Sequence, residues 1–352
     1  MRHFGASGEG GRAPGARHRL SSGLWAAPLL ALLSSAPARA EASASCGSVA
    51  FNASVAGQRG LIGGTLCVPS GARTVQLLLH GFTYGRYYWD FPLEPERYSY
   101  VQAANAAGYA TLAIDRLGTV GSLQPLSLFV TLENNASVVH QLVAALRAGE
   151  LGVAFENVLL VGHSFGSVVA YVEADRYRDV DAIVATSASH QANVANLVTR
   201  LLLGSSPATL DSKFAPLPLD PGYVTTLPGR RHIFYELEDT DPAVVALDEE
   251  LKQTAAVGEV LTYLHFLLDV ASDVELPVLT VNGSREPFFC NGPLAADCSS
   301  SEALAAGERR FFGPAASVDA IVVPGAGHNL SLELSAPGTH SAILEWVNSL
   351  GF

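Results

Sequence analysis

Eleven residues near the middle of the chain, Asn157-Val158-Leu159-Leu160-Val161-Gly162-His163-Ser164-Phe165-Gly166-Ser167, narrow the range of folds more than any other stretch. The apolar run has the length of a fully buried strand, and Ser167-Val168-Val169-Ala170-Tyr171-Val172 begins a helical pattern straight after it. The strand must therefore turn sharply into a helix, with a serine at the apex. Such a turn forces the apex residue into strained dihedrals, and glycines on either side remove side chains that would clash there. The turn lifts the Ser164 hydroxyl out of the sheet and aims the next amide N–H at whatever the serine attacks. Taken alone, Gly162-His163-Ser164-Phe165-Gly166 is weak evidence in a chain with 33 glycines, because it also describes a plain packing turn. The strand before it and the helix after it are what make it specific.

The first forty residues read as an address. Arg2, Arg12, Arg17 and Arg19 precede the apolar run Leu24–Leu33, and Ala38-Arg39-Ala40 follows it. A basic segment, a short apolar segment and an A-x-A site describe a secretory signal peptide with cleavage after Ala40. A membrane anchor is the rival reading. The run, however, is about half the ~20 residues a spanning helix needs, and Pro28 interrupts it. Residues 1–40 are expected to be removed, leaving residues 41–352 in a secreted, extracellular or periplasmic protein. Their loss takes away five arginines and one glutamate and moves the formal charge from −12 to −16. A chain this acidic repels phosphate backbones, so nucleic acid is not an expected partner. An apolar fraction of 49% with 15% charged residues suits a large core and argues against disorder.

Four cysteines, at 46, 67, 290 and 298, suggest disulfides in an exported chain. Three connectivities exist, and sequence proximity favours Cys46–Cys67 and Cys290–Cys298. Zinc is the alternative, but neither pair has C-x-x-C spacing. Asn52, Asn135, Asn282 and Asn329 open N-x-S/T sequons.

Gly47–Val68 reads as an opening hairpin. Buried-strand runs follow at Val75–Leu79, Ala110–Ile114, Val180–Ala185, Pro277–Val281 and Val318–Val323. Helical stripes lie between them, at Tyr98/Val101/Ala104, at Val138/Val139/Leu142/Val143/Leu146, and at Ile343/Trp346/Val347/Leu350. Strands alternating with helices give an α/β fold, with a mostly parallel, doubly wound sheet covered on both faces. The alternation stops between Ser187 and Glu275. Loop signals there mix with two helical patterns, one capped by Asp241-Pro242 and one holding Val260, Leu261, Leu264, Leu267 and Leu268. Residues 188–276 read as a mainly helical cap inserted between two strands of one domain.

A serine hydroxyl needs a base, and the base needs a carboxylate to orient it. Among ten histidines, His328 has the best setting, on the glycine-rich loop Pro324–Asn329 directly after a strand. His190 follows a strand but opens the cap. His340 opens the last helix and is expected at the surface, and His265 sits in an apolar cap helix as a packing residue. The acid should end another strand, between serine and histidine in chain order, which selects Glu286. Asp297, in the loop beyond it, is the competitor. No histidine pair has metal-ligand spacing, and no cofactor is called for.

With these residues in place the chain resembles the α/β-hydrolase fold family, from about Val75 to the C-terminus. The marks are His80-Gly81-Phe82, Asp115-Arg116-Leu117-Gly118, Gly162-His163-Ser164-Phe165-Gly166 and His328, each after a strand. The resemblance implies an oxyanion hole made by the backbone N–H groups of Phe82 and Phe165, donors worth ~3–4 kcal/mol each when removed singly. Two departures stand out. Glu286 occupies a position where most members carry Asp, and the turn after Asp115 is one residue longer than the usual glycine turn. Asp115 is read as the anchor of that turn, without a catalytic role.

The leading expectation is a secreted serine hydrolase that cleaves carboxylic esters through an acyl-enzyme at Ser164, with His328 as base and Glu286 as orienting acid. The apolar cap and the cluster Tyr84, Tyr87, Tyr88 and Trp89 suggest an apolar, lipid-like ester. Rival enzyme readings are C–C hydrolysis, cyanohydrin cleavage or cofactor-free peroxidation on the same fold. Serine at the elbow argues against the dehalogenase and epoxide-hydrolase branches, whose nucleophile is Asp. A non-catalytic binding module is the remaining alternative, and it commonly lacks a triad member.

Overall fold

The computed structural model describes residues 44–267 and 273–352. The expected leader, residues 1–40, lies outside the described residues, as does Leu268, and so do the side chains of Leu264 and His265. No helix among the described residues is long and apolar enough to cross a membrane.

The chain opens with a hairpin of two long strands, β1 (Ser45–Val55) and β2 (Gln58–Val68). Ala56 and Gly57 join them, both at positive φ, the backbone that a two-residue hairpin turn requires. The register sets Cys46 opposite Cys67, and a disulfide links them across the strands. Next come β3 (Thr74–Leu79), β4 (Ala110–Ile114), β5 (Asn157–His163) and β6 (Ala182–Thr186). Three short strands follow, β7 (Ser205–Pro207), β8 (Tyr223–Thr226) and β9 (Ala255–Ala256), and then β10 (Val278–Gly283) and β11 (Val318–Val323). Eight of these strands form one sheet in the order β1-β2-β4-β3-β5-β6-β10-β11, antiparallel at its first two pairings and parallel from there on.

The inner strands are mostly apolar and buried on both sides because helices cover both faces. β3, β4 and β6 are buried at every residue, and β5 at all but its first. Parallel strands all end on one edge of the sheet, so the segments after β3, β4, β5, β6, β10 and β11 converge there.

Between β6 and β10 the chain leaves the sheet. As expected, Asp241 caps a helix over Pro242–Leu251, its side chain accepting from the Ala243 N–H, and a second helix spans Val257–Phe266. Sequence reading missed the small antiparallel sheet β7-β8-β9 and a π-helical turn over Leu197–Leu202. Strands two to four residues long leave no alternation to read. Two buried ion pairs, Arg231–Asp248 and Arg116–Glu259, fasten this segment down. Arg231 grips Asp248 through Nε and a terminal nitrogen, both at 2.9 Å, and the same carboxylate accepts from the Tyr84, Tyr87 and Tyr235 hydroxyls. Removing one partner of such a pair strands the other charge, at a cost of roughly 3–5 kcal/mol. The cluster of Tyr84, Tyr87, Tyr88 and Trp89 therefore anchors and packs; it does not line the substrate pocket described below.

Burial also sorts the sequons. Asn135, Asn282 and Asn329 are buried and spend their side-chain amides on internal hydrogen bonds, whereas Asn52 on β1 is exposed.

Candidate active site

Ser164 sits at the sharp junction between β5 and the helix Phe165–Tyr177, with φ 53° and ψ −119°. A non-glycine residue there carries strain of order ~1–3 kcal/mol, so the surroundings must hold it. They do so through the Ser164 N–H, which donates to the Thr186 carbonyl at 2.8 Å, and through the Ser164 carbonyl, which accepts from Ser167 at 3.0 Å. The flanking glycines are required by close approach. A Cβ on Gly162 would overlap the Ser167 backbone, and one on Gly166 would overlap the Leu79 carbonyl.

The loop after β3 packs against this turn: a Cβ on Gly81 would lie 3.1 Å from Ser164 Cβ. Phe82 comes next, and its ring, the Phe165 ring and Ser164 line the same pocket. Neither the Phe82 N–H nor the Phe165 N–H donates to a protein acceptor among the described residues. Two backbone donors without acceptors beside a serine hydroxyl are what a developing oxyanion requires.

Arg116, which sequence reading left as part of a turn, holds this loop. It is almost fully buried. Its Nε donates to the His80 carbonyl at 2.8 Å and a terminal nitrogen to the Gly81 carbonyl at 3.3 Å. Its other terminal nitrogen pairs with Glu259 of the cap at 2.7 Å, and its guanidinium lies 5.0 Å over the Phe165 ring. One side chain thus touches both residues offered as oxyanion donors, or their immediate neighbours, and ties them to the cap. His80 completes the brace: Nδ1 lies 2.9 Å from the Gly81 carbonyl, and Nε2 accepts from the Arg116 N–H. Burial, with Arg116 alongside, pushes its pKa well below the ordinary histidine range and keeps it neutral.

His328 lies on the loop after β11, with Nδ1 2.8 Å from Glu286 Oε2. Glu286 stands three residues past the end of β10, and its other oxygen accepts from the Phe288 N–H at 2.8 Å. Both side chains are buried. Asp297 does not reach the histidine; it is exposed and caps the Ser299 N–H. The loop between the two acids is closed by the Cys290–Cys298 disulfide. Three contacts fix the His328 loop. Ser187 Oγ donates to the His328 carbonyl at 2.5 Å, and Glu333 accepts from the Gly327 N–H at 2.7 Å and from the Glu236 N–H at 2.9 Å. Burial raises the Glu333 carboxyl to about 8, against the pull of those two donors. His163, beside the serine, packs 4.9 Å from the His328 ring and stacks on Tyr88 at 4.0 Å. Burial, reinforced by His328, pushes its pKa well below the ordinary range.

The pocket in front of Ser164 is walled by Leu197, Leu201 and Leu202 of the π-helical turn and by Val260 and Tyr263 of the second cap helix. Phe289, stacked on the His328 ring, closes one side. Tyr263 brings the wall a polar atom, a buried hydroxyl without a hydrogen-bond partner among the described residues, which a bound ligand could satisfy. Nothing in the sequence marks it.

The remaining histidines fall elsewhere. His190 is buried, with Nδ1 2.8 Å from Glu308 Oε2, and stacks on Tyr171 and Phe311. Ser189 donates to that glutamate at 2.6 Å. His340, expected at the surface, is buried edge-on against Tyr100 because the last helix folds back over the segment before β4. Asp115 behaves as a turn anchor: its carboxylate accepts from the Arg86 N–H and its carbonyl from the Ser122 hydroxyl.

Residues 76–339 match the model of the alpha/beta hydrolase family. The chain belongs to this family. A curated relative, Epoxide hydrolase 3 of Xenopus tropicalis, is 27% identical to the hydrolase over 241 residues, 61% of this chain and 59% of that protein. Among solved structures, a monoglyceride lipase from Saccharomyces cerevisiae superposes with a TM-score of 0.56 at 15% identity, covering 86% of this chain and 94% of the other. A membrane phospholipase A described as a bacterial virulence factor gives 0.55 at 16% identity, covering 88% and 87%. At such identities the structural likenesses speak for the fold alone.

Proposed function

We propose that this hydrolase cleaves carboxylic esters with an apolar acyl group through a covalent acyl-enzyme. Ser164 Oγ attacks the carbonyl carbon while His328 Nε2 takes the hydroxyl proton, and Glu286 holds the imidazole through Nδ1. The carbonyl oxygen becomes an oxyanion and accepts from the Phe82 and Phe165 N–H groups. His328 returns the proton to the departing alkoxide, which leaves as the alcohol. Water, deprotonated by the same nitrogen, then releases the acid and restores Ser164. The observation that carries this reading is a serine in the strained elbow conformation, with a carboxylate-held histidine packed 4.9 Å from the ring of His163, the residue before that serine.

The epoxide hydrolase relative raises a second substrate class. Opening an epoxide by a covalent route needs a carboxylate nucleophile, because the resulting ester can be hydrolysed. A serine would form an ether, which water does not cleave under these conditions. Ser164 therefore favours esters. The largely apolar walls around it favour an acyl chain over a charged group. Export of the chain is part of the proposal, supported by the signal-like residues 1–40 and the two disulfides.

A panel of p-nitrophenyl esters of increasing acyl length, run beside a fluorophosphonate probe, tests the reading. Turnover that rises from acetate toward medium chains, with stoichiometric labelling, is expected. Labelling without turnover of any ester would instead point to another reaction at the same serine.

A further inference from the structure

A second cluster of ionisable groups lies further along the nucleophile helix, away from the pocket. Glu173 on that helix is fully buried, and neither carboxylate oxygen meets a hydrogen-bond donor among the described residues. Asp179, just beyond the helix, leaves Oδ1 buried and equally without a donor. Its Oδ2 lies 2.6 Å from Nδ1 of His140, on the helix Leu132–Ala148. One ligand atom from each of His140, Glu173 and Asp179 lies within 4.8 Å of the other two.

Glu173 is buried and Asp179, 25% exposed, meets a partner only at Oδ2 among the described residues, so the facing carboxylate oxygens need a proton or other positive charge between them. Arg147, the arginine nearest the cluster, is committed elsewhere. It donates to the Asp179 and Glu156 backbone carbonyls and pairs with Asp181 at 2.8 Å. Two candidates remain, a proton shared between the carboxyl groups and a metal ion. We propose that His140, Glu173 and Asp179 hold one divalent transition-metal ion of the Zn²⁺ type.

The donor set supports this choice. One imidazole with two carboxylates suits zinc and its first-row neighbours, whereas Ca²⁺ and Mg²⁺ prefer all-oxygen shells. Ligand bonds of about 2.0–2.2 Å put the ligand atoms of a tetrahedral ion roughly 3.5 Å apart, so groups now within 4.8 Å of one another need to close by about 1 Å. The His140 side chain is 38% exposed, which leaves an entry path and room for a water ligand. Its ring is already oriented by stacking on Tyr177 at 4.0 Å. A bound ion would join two helices and the segment leading into β6, and would act on stability.

The test uses the protein stripped with EDTA and titrated with ZnCl₂ by calorimetry, with thermal melting followed in parallel. One ion per chain and a rise in Tm are expected. Glu173→Gln keeps the size of the buried side chain, and His140→Ala alters a half-exposed one, so the second remains informative if the first folds poorly. Each should weaken the one-to-one binding at least tenfold and remove the Tm response. Absence of one-to-one binding by the unaltered protein would overturn the proposal in favour of a shared proton. Binding that is unchanged in both variants would overturn it by placing the ion elsewhere.

Discussion

Glu286 Oε2 lies 2.8 Å from His328 Nδ1, while its other oxygen is held at 2.8 Å by the Phe288 N–H. The carboxylate is therefore fixed at both ends and assigns the Nδ1 proton, leaving Nε2 as the basic nitrogen. The extra bond of Glu over Asp is absorbed because the loop turns back at Phe288 and is closed beyond it by Cys290–Cys298. Glu286→Gln should lower kcat by about 10⁴-fold, as loss of a triad carboxylate does when the tautomer becomes wrong. Asp297→Asn should change kcat by less than about threefold. Steady-state ester kinetics on the two variants check this, and a crippled Asp297→Asn beside a mild Glu286→Gln would reverse the assignment.

Arg116 braces the loop that carries the Phe82 N–H, using donors that point in three directions. Lysine keeps the charge but not the planar fork. Arg116→Lys should lower kcat about 10²-fold, with a smaller change in KM, because a misplaced oxyanion donor is felt mainly in the transition state. Circular dichroism must show the variant folded at the assay temperature. A folded variant with unchanged kcat would leave Arg116 with a structural role only.

Much of this architecture is legible in the chain because buried parallel strands are continuous apolar runs, and the chemistry falls where those runs end. The proposed residues Ser164, Glu286 and His328 lie one, three and five residues past the ends of β5, β10 and β11. What escaped is what depends on distant partners. Arg116 looks like a turn residue until Glu259, 143 positions away, closes on it. His340 reads as the start of the last helix, but that helix begins at Ala336 and Tyr100 covers the imidazole. The aromatic residues after β3 look like a substrate wall until Asp248 gathers two of their hydroxyls. The strands of the cap are too short to carry a pattern at all.

His340 also sets a pH dependence. Burial pushes its pKa down to about 3, and its Nε2 has no hydrogen-bond partner among the described residues. The unfolded chain then binds a proton, near the ordinary histidine value of ~6.5, that the folded chain refuses. The contribution to stability is thus complete above that value and is lost as pH falls toward 3. His340→Phe keeps a ring against Tyr100 and removes the titration. Between pH 7.5 and 5.0, urea denaturation should show the variant losing roughly 2 kcal/mol less than the parent. The other buried histidines are common to both proteins and cancel in the comparison. Equal losses would mean that the folded protein already protonates His340.

The central claim is that Ser164 carries the acyl group. The most direct measurement is mass spectrometry of the protein after reaction with a fluorophosphonate, alongside hydrolysis of a medium-chain p-nitrophenyl ester, for the parent and for Ser164→Ala. The parent should gain one phosphonyl group on the peptide containing Ser164 and hydrolyse the ester. Ser164→Ala should melt as the parent does, gain no label and lose turnover to the background rate. A label on any other residue, or ester hydrolysis that survives in Ser164→Ala, would contradict the account.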